Sequence, residues 1–446
     1  MKARLLPIQL SETNERERGE FAKQLDILRE MYAEEAEFLP IQPLEEMNAD
    51  GADAILFPQL IGSVFSHEAE FGRMALPIIV LSSSFGTVEM WDWEIVAYLR
   101  ERLRLNILAP YSVEIARVIL RALAVKTSMK QGSKFLMFQD DPGEGMQANI
   151  FKRFYWWEKE SARQIEDAFG LKIIYRSWKG VNEAARAIPD AAALALWEQR
   201  KVPTEELDLA RILKAVKLYM ALKFVADEIG DVQGIGGNCL NESFHSETTP
   251  CLAWNWMFEH DGIIWACEGD TVTLVSKYIL YQILRQPMMM TNIYPFLMGM
   301  AALKHEKIRT FPKVEDPEHH ALGVHCGYFG LAPQSFCSNW VLRPKVLEIV
   351  SPDAVMIDCR METGPVTLAK LHADMNTLTV IRAQIEDYVQ YPGSDCRNGA
   401  LLRYQKDSGY QVMESLSSHH QIIIQGNAAP QLAQAAKIFG FKMELI

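Results

Sequence analysis

TPCLAWNWMFEHDGIIWACEGD, residues 249–270, is the most informative stretch of this chain. It carries an aromatic, cysteine-bearing segment into the apolar run Ile263-Ile264-Trp265-Ala266 and ends in the turn Cys267-Glu268-Gly269-Asp270. The apolar run is typical of a buried strand, and the helix-like segment 271–284 follows the turn. We therefore expect an acidic turn at the point where a buried strand passes into a helix.

Two interpretations of the acidic pair in this turn stay open. Carboxylates are rarely fully buried unless they are paired or bind a metal, so Glu268 is a candidate for chemistry. Alternatively, the acids cap the next helix, and Asp270, which directly precedes residue 271, fits that structural role well. Glu268 needs partners from elsewhere in the chain to form a site.

The first third of the chain alternates apolar runs with amphipathic segments. Residues 54–57 and 77–81 have the composition of buried strands, whereas residues 15–33 and 113–126 have the periodicity of helices. This alternation predicts strand–helix units on a parallel sheet. Residues 134–138 form a further predicted strand.

The residue pattern of the sequence changes after about residue 310, where the predicted strands become shorter and proline and glycine recur. We predict an N-terminal α/β domain over residues 1–130 and a central α/β domain, carrying the Cys-Glu-Gly-Asp turn, over residues 131–310. A β-rich C-terminal domain over residues 311–446 ends in a helix around residues 431–439.

Bulk composition argues against several functional classes. The chain has 446 residues and a net charge of -12, which disfavours a nucleic-acid surface. No uninterrupted apolar window is long enough for a membrane helix, so we expect no membrane partner and a cytoplasmic location. The seven cysteines are scattered without a C-x-x-C pair, which indicates reduced thiols rather than a disulfide framework or zinc ribbon.

Histidines near strand ends suggest partners for Glu268. His325 enters the glycine loop Val324-His325-Cys326-Gly327, and His419-His420 directly precedes the apolar strand Ile422-Ile423-Ile424. A lone histidine is more often a core or surface residue, but a carboxylate and histidines at strand ends in separate regions indicate a metal site. Oxygen and nitrogen ligands without a cysteine cluster favour Mn²⁺ or a similar divalent cation.

These motifs together resemble the L-fucose isomerase and L-arabinose isomerase superfamily. The resemblance rests on Ala266-Cys267-Glu268-Gly269-Asp270, then His325-Cys326-Gly327, Thr367-Leu368-Ala369, Cys396-Arg397 and the late His419-His420, and spans about residues 235–446. It implies two Rossmann-like doubly wound α/β domains followed by a β-rich C-terminal domain, a homo-oligomer (a hexamer or trimer-based assembly), and a Mn²⁺-type cation. The implied reaction interconverts an aldose and a ketose.

The resemblance also implies residue roles. Glu268 matches the glutamate that binds the metal and acts as acid/base, and His420 matches the late metal-binding histidine. Asn292 stands where the pattern expects an aspartate. It can offer its carbonyl oxygen to the metal but cannot accept a proton as a carboxylate does. Asp270, His325 and Glu306, in that order, are the candidates for a second proton-transfer group.

Further candidates concern the sugar substrate. Trp254 is a candidate wall of the sugar site, His325, Ser335 and Arg397 are candidate polar contacts, and Trp91 could close over the site of a neighbouring subunit. For each tryptophan, plain core or domain packing is the competing interpretation.

The sequence thus predicts a metal-dependent sugar ketol-isomerase that works through an enediol. A carboxylate moves the proton, and it does so best when an apolar pocket raises its pKa. Because Asn292 alters the acid/base set, two alternatives remain: a sugar or sugar-acid epimerase or lyase that uses the same site, and a catalytically silent sugar-binding relative.

Overall fold

The computed structural model describes residues 1–10, 14–140, 158–240, 242–295, 314–347, 349–389, 398–406 and 408–446. It is a mixed α/β protein with parallel sheets in its N-terminal and central parts and an antiparallel sheet in its C-terminal part. This confirms the expected fold class at the level of sheet types.

The chain forms two compact units. Unit 1 comprises Met1–Gln131, Gln282–Leu284 and Gln431–Phe441, and unit 2 comprises Gly132–Tyr281, Arg285–Pro430 and Lys442–Ile446. The residues of the candidate metal centre described below all belong to unit 2, namely Glu268, Asp270, Asn292, His325, Cys326, Lys370 and His420. Trp91 belongs to unit 1.

Unit 1 is built on a six-stranded parallel sheet in the order β2-β1-β4-β5-β6, with β3 paired to β1. Its strands are β1 (Ala3–Gln9), β2 (Ala36–Phe38), β3 (Gln42–Pro43), β4 (Ala54–Phe57), β5 (Ile78–Val80) and β6 (Ile107–Leu108). Its helices are Glu15–Met31, Glu68–Phe71, Met90–Leu103 and Val113–Lys130. Side chains of Asn14 and Ser112 cap the first and last of these helices, as their position before amphipathic runs suggests. Strands β4, β5 and β6 are apolar and buried throughout, as is typical of parallel strands that helices cover on both faces.

Unit 2 contains a four-stranded parallel sheet in the order β10-β9-β7-β8. The strands are β7 (Lys134–Phe138), β8 (Lys172–Arg176), β9 (Val232–Gly237) and β10 (Ile264–Ala266). Its helices are Lys159–Phe169, Trp178–Ala187, Asp190–Gln199, Leu209–Ile229, Cys251–Asp261 and Thr271–Leu284, the last of which ends in unit 1. The quoted stretch therefore forms the expected strand, acidic turn and helix.

A seven-stranded sheet of unit 2, antiparallel but for β19, runs in the order β15-β18-β11-β12-β17-β16-β19 and closes on itself because β15 also pairs with β16. Its strands are β11 (Met288–Pro295), β12 (His320–Val324), β15 (Gly364–Leu371), β16 (Thr377–Val389), β17 (Gly399–Tyr404), β18 (His420–Gln425) and β19 (Lys442–Leu445). Strands β13 (Asn339–Pro344) and β14 (Val355–Arg360) form a separate pair, and the helix Gly409–Ser415 also belongs to unit 2. The last helix, Ala429–Phe439, belongs to unit 1 from Gln431 onward. The first strand of this sheet begins at Met288, before the change of residue pattern at about residue 310.

Strand register in this sheet brings distant residues together. Strand β11 lies between β18 and β12, so that Asn292 pairs with His420 on one side and with Val324 on the other. His325 follows Val324 directly. The centre of the antiparallel sheet therefore presents two histidines and an asparagine at one place.

Within the part of the chain that the structure describes, none of the helices combines the length and the apolar character that a membrane span requires.

Candidate metal centre

A strained turn presents Glu268 at the end of β10. Glu268 and Gly269 both have positive φ, 57° and 70°, and the turn is closed by a hydrogen bond from Asp270 N to Cys267 O at 3.1 Å. Gly269 N also donates to Gly237 O at 2.9 Å, which fixes the turn to β9. A left-handed conformation costs a side-chain-bearing residue about 1–2 kcal/mol, and such residues cluster at functional sites.

Two imidazoles flank the Glu268 carboxylate. His325 Nδ1 lies 3.4 Å from one carboxylate oxygen, and His420 Nε2 lies 3.5 Å from the other. Both histidine side chains are fully buried, and that of Glu268 is 6% exposed. The structure thus brings together an acid and an imidazole that are far apart in the sequence.

These neighbours set the charge state of Glu268. Burial raises the pKa of its carboxyl, but the charges of His420 and His325 outweigh burial and lower that pKa to about 2. The pKa of this carboxyl is therefore lowered, whereas an apolar pocket alone would raise it. Glu268 is buried, but the imidazoles determine the direction of its pKa shift.

Asp270 supports the site from behind His420. Its Oδ2 accepts hydrogen bonds from His420 Nδ1 at 2.8 Å, Lys370 Nζ at 2.9 Å and Thr273 Oγ1 at 2.7 Å, and its Oδ1 accepts from Thr273 N at 2.7 Å. The predicted helix cap at Asp270 is confirmed. Because a carboxylate holds Nδ1–H, Nε2 of His420 is directed at Glu268, an arrangement that metal-binding histidines commonly use. Both oxygens of Asp270 are engaged in this way, which suits positioning better than proton transfer to a substrate.

The positive charges of Lys370 and His420 offset the negative charges of Asp270 and Glu268. Burial raises the pKa of the Asp270 carboxyl, but Lys370 and His420 outweigh it and keep that pKa well below its usual range. Burial lowers the pKa of His420, but Glu268 and Asp270 outweigh it and raise that pKa. The buried acids and bases therefore compensate one another.

Cys326 joins Glu268 and His325 in one cluster. One ligand atom from each of these three residues lies within 4.8 Å of the other two. His325 and Cys326 lie in a tight turn in which His325 N donates to Tyr328 O at 2.7 Å. Burial lowers the pKa of His325 to about 4, so its imidazole is neutral at physiological pH and able to bind a cation.

Unsatisfied polar atoms indicate what the cluster fits. Among the residues that the structure describes, neither ring nitrogen of His325 makes a hydrogen bond, and the buried Oδ1 of Asn292 makes none either. Buried polar atoms are normally satisfied, and an ion is one of the standard explanations for exceptions. Carboxylate oxygen, imidazole nitrogen and amide oxygen are all donor types that suit a divalent cation.

The predicted substrate contacts lie in several places. Trp254 is fully buried in the helix Cys251–Asp261 and offers no surface to a sugar. The exposed Ser335 donates to Glu259 Oε1 from both N and Oγ at 2.8 Å. Trp91 is 66% exposed on the first turn of the helix Met90–Leu103 in unit 1. Arg397 and Glu306 lie outside the described residues.

Sequence reasoning missed Lys370 and the proximity of Cys326. The signal for Lys370 was a charged residue in the otherwise apolar strand β15, where its side chain is 2% exposed. A charge in such a strand needs a partner, and that partner is Asp270.

No protein-family model matches the chain, and a search of curated protein sequences finds no significant match. The resemblance to sugar isomerases therefore stays a prediction.

Proposed function

We propose that this protein is a metal-dependent aldose–ketose isomerase acting on a small sugar. The observation that carries the proposal is the Glu268 carboxylate, held between His325 and His420 at 3.4 and 3.5 Å with Asp270 behind the second imidazole. Two imidazoles, one of them without hydrogen bonds among the described residues, support a cation site.

The chain's own residues would carry out the proton transfer. The neighbouring imidazoles lower the pKa of Glu268 to about 2, so its carboxylate is ionised at neutral pH and would be the group that accepts the proton from the carbon next to the substrate carbonyl. The same shift makes it a weaker base than a carboxylate with a raised pKa. Glu268 would return that proton to the neighbouring carbon through an enediol. A bound divalent cation such as Mn²⁺ supplies Lewis-acid stabilisation of the developing negative charge.

Asn292 and His325 would have supporting roles. Asn292 cannot take up a proton, but its Oδ1 is buried and, within the described residues, without a hydrogen bond beside His420, so it is suited to bind the cation. His325, neutral at physiological pH, is suited to bind the cation or a substrate hydroxyl.

The proposal includes the finer fold and assembly that the resemblance implies: two Rossmann-like domains, a β-rich C-terminal domain, a homo-oligomer and a cytoplasmic location. Exposed aromatic side chains on unit 1, namely Phe85 (78%), Trp91 (66%) and Trp93 (57%), support a contact with another copy of the chain.

Turnover on a sugar panel tests the proposal. The protein, loaded with Mn²⁺, is incubated with fucose, arabinose and sulfonated or deoxy aldoses, and ketose formation is measured. We expect conversion of at least one sugar by the wild type, loss of conversion in Glu268→Gln, and retention in the control Glu259→Gln, whose carboxylate contacts Ser335 instead. Confirmed metal binding without turnover of any sugar would contradict the proposal.

Asn292 is the specific observation in favour of the second candidate, an epimerase or lyase on a sugar acid. Because the amide cannot act as the second acid, proton abstraction can occur without productive return to the neighbouring carbon. Incubation in D₂O distinguishes the two: solvent exchange without net isomerisation favours the second candidate. Activity that appears only in Asn292→Asp would instead identify a silent sugar-binding relative.

A further inference from the structure

Cys326 has no role in the proposed isomerase, yet its thiol lies beside Glu268 and His325. A ligand atom from each of Glu268, His325 and Cys326 lies within 4.8 Å of the others. That separation suits three ligands of one ion, since metal–ligand bonds of about 2.0–2.3 Å place neighbouring ligand atoms roughly 3–4 Å apart. The side chains would need to shift by an ångström or less.

Backbone geometry holds the thiol in place. Cys326 and Gly327 both have positive φ, 55° and 87°, and Tyr328 N closes the turn by donating to His325 O at 3.3 Å. Hairpin turns of this kind favour asparagine, aspartate or glycine at both central positions. Cysteine is disfavoured there, so its presence calls for a role of the side chain.

Glu268 lies in a turn of the same kind, since Glu268 and Gly269 are also two consecutive residues with positive φ. Two of the three clustered residues therefore project from strained, hydrogen-bonded turns. Each such turn fixes the direction of its side chain at a cost of about 1–2 kcal/mol in backbone strain. A residue whose only role is packing does not need this strained conformation.

His325 supplies an independent indication of a ligand. Its imidazole is fully buried and lies against Glu268, and neither of its nitrogens makes a hydrogen bond within the described residues. A buried imidazole without hydrogen bonds beside a carboxylate and a thiol is the donor set of a borderline-soft cation.

We propose that Cys326 Sγ is a thiolate ligand of the cation bound by Glu268 and His325, and that this ligand makes the site prefer thiophilic ions such as Co²⁺ or Zn²⁺ to Mn²⁺. The inference rests on the cation site of the proposed function. On binding, the S–H bond breaks, the proton passes to solvent, and the sulfur electron pair forms the bond to the cation. Thiolate donors favour Zn²⁺ and Co²⁺, whereas oxygen donors suit Mn²⁺.

Other buried thiols provide a matched comparison. Cys239, Cys251 and Cys267 are all 7% exposed or less. Among the described residues, none of them joins a group of three donors suited to a metal. Cys251, at the start of the helix Cys251–Asp261, tolerates serine in a helical first turn and is the control position.

Co²⁺ spectroscopy tests the proposal. Metal-free protein is titrated with Co²⁺ while the near-ultraviolet thiolate-to-Co²⁺ charge-transfer band and the amount of bound Co²⁺ are measured. We expect the band in the wild type and in Cys251→Ser, and its loss in Cys326→Ser and Cys326→Asn. Asparagine suits a positive φ, so Cys326→Asn keeps the fold even if serine disturbs the turn.

Affinity gives a second readout. The ratio of the Mn²⁺ dissociation constant to the Co²⁺ dissociation constant should fall by about 10-fold or more in Cys326→Asn, because the lost ligand favours Co²⁺ more than Mn²⁺. An unchanged ratio would overturn the proposal.

The outcomes separate this inference from the proposed function. One bound Co²⁺ per chain without the charge-transfer band overturns thiolate ligation and leaves a metal-dependent isomerase intact. Failure of the wild type to bind Co²⁺, Zn²⁺ or Mn²⁺ overturns both. A band that persists in Cys326→Ser and disappears in Cys251→Ser would show that Cys251, not Cys326, supplies the thiolate ligand, and would refute the inference.

Discussion

Two buried lysines of unit 2 should respond in opposite ways to the same substitution. Lys370 Nζ lies 2.9 Å from Asp270 Oδ2 and 2.8 Å from Ser418 Oγ. Lys277 Nζ donates to Trp265 O at 3.2 Å and lies 3.3 Å from the centroid of the Trp265 ring, with no ion-pair partner among the described residues. Each lysine is 2% exposed. Methionine matches the length and apolar character of both stems.

Lys370→Met removes one partner of a buried ion pair. Such a change costs about 3–5 kcal/mol of folding free energy, because the remaining carboxylate loses its compensation. Asp270 retains hydrogen bonds from His420 and Thr273, which places the expected loss near the lower limit, about 3 kcal/mol.

Lys277→Met removes a buried cation that pairs with no carboxylate among the described residues. Burial lowers the pKa of Lys277 from 10.5 to about 7. At about 1.4 kcal/mol per pKa unit, keeping this amine charged costs up to about 5 kcal/mol. The lost contact with the Trp265 ring, about 2 kcal/mol, and the lost hydrogen bond, about 1 kcal/mol, leave a net stabilisation of about 2 kcal/mol near neutral pH.

The pH dependence has a definite sign. Between about pH 7 and pH 10.5 the unfolded chain keeps the Lys277 proton while the folded chain releases it, so the wild type gains stability as pH rises. The advantage of Lys277→Met is therefore largest at or below about pH 7 and disappears toward pH 10.5.

Chemical denaturation, followed by the fluorescence of buried tryptophans, measures both effects. We expect a lower midpoint for Lys370→Met and a higher one for Lys277→Met near neutral pH, with the second difference shrinking near pH 10. Equal destabilisation by both substitutions would refute the charge argument. A Lys277→Met difference that does not change with pH would refute it as well.

Three further predictions concern the site. Asp270→Asn should weaken Co²⁺ binding by about 10–100-fold in calorimetric titration, because the imidazole loses its orienting carboxylate, whereas Ser418→Ala should bind Co²⁺ as the wild type does. Glu268→Gln should weaken Co²⁺ binding by more than about 100-fold, and near-native affinity in this variant would remove the carboxylate from the ligand set. Glu259→Gln should lower the free energy of unfolding by about 1–2 kcal/mol through its contacts with Ser335 while leaving Co²⁺ affinity unchanged; a change in affinity would show that this contact belongs to the site.

Much of the local structure was predictable from the sequence. The apolar runs 54–57 and 134–138 match β4 and β7, and the helix after the acidic turn spans Thr271–Leu284 as expected. Asp270 caps that helix, since capping requires only a carboxylate next to the free amides of the first turn. Apolar periodicity, strand length and caps are properties of neighbouring residues, so the sequence alone determined them.

The composition of the site depended on the tertiary structure. Asp270 meets His420 across 150 positions and Lys370 across 100, because strand register in the closed antiparallel sheet places these side chains beside the turn after β10. The lowered pKa of Glu268 likewise follows from two imidazoles that no local pattern could place. The sequence determined which side chains can bind a cation or transfer a proton. The tertiary structure decided which of these side chains lie close enough to shift one another's pKa, since electrostatic interactions depend on distances of a few ångströms in space.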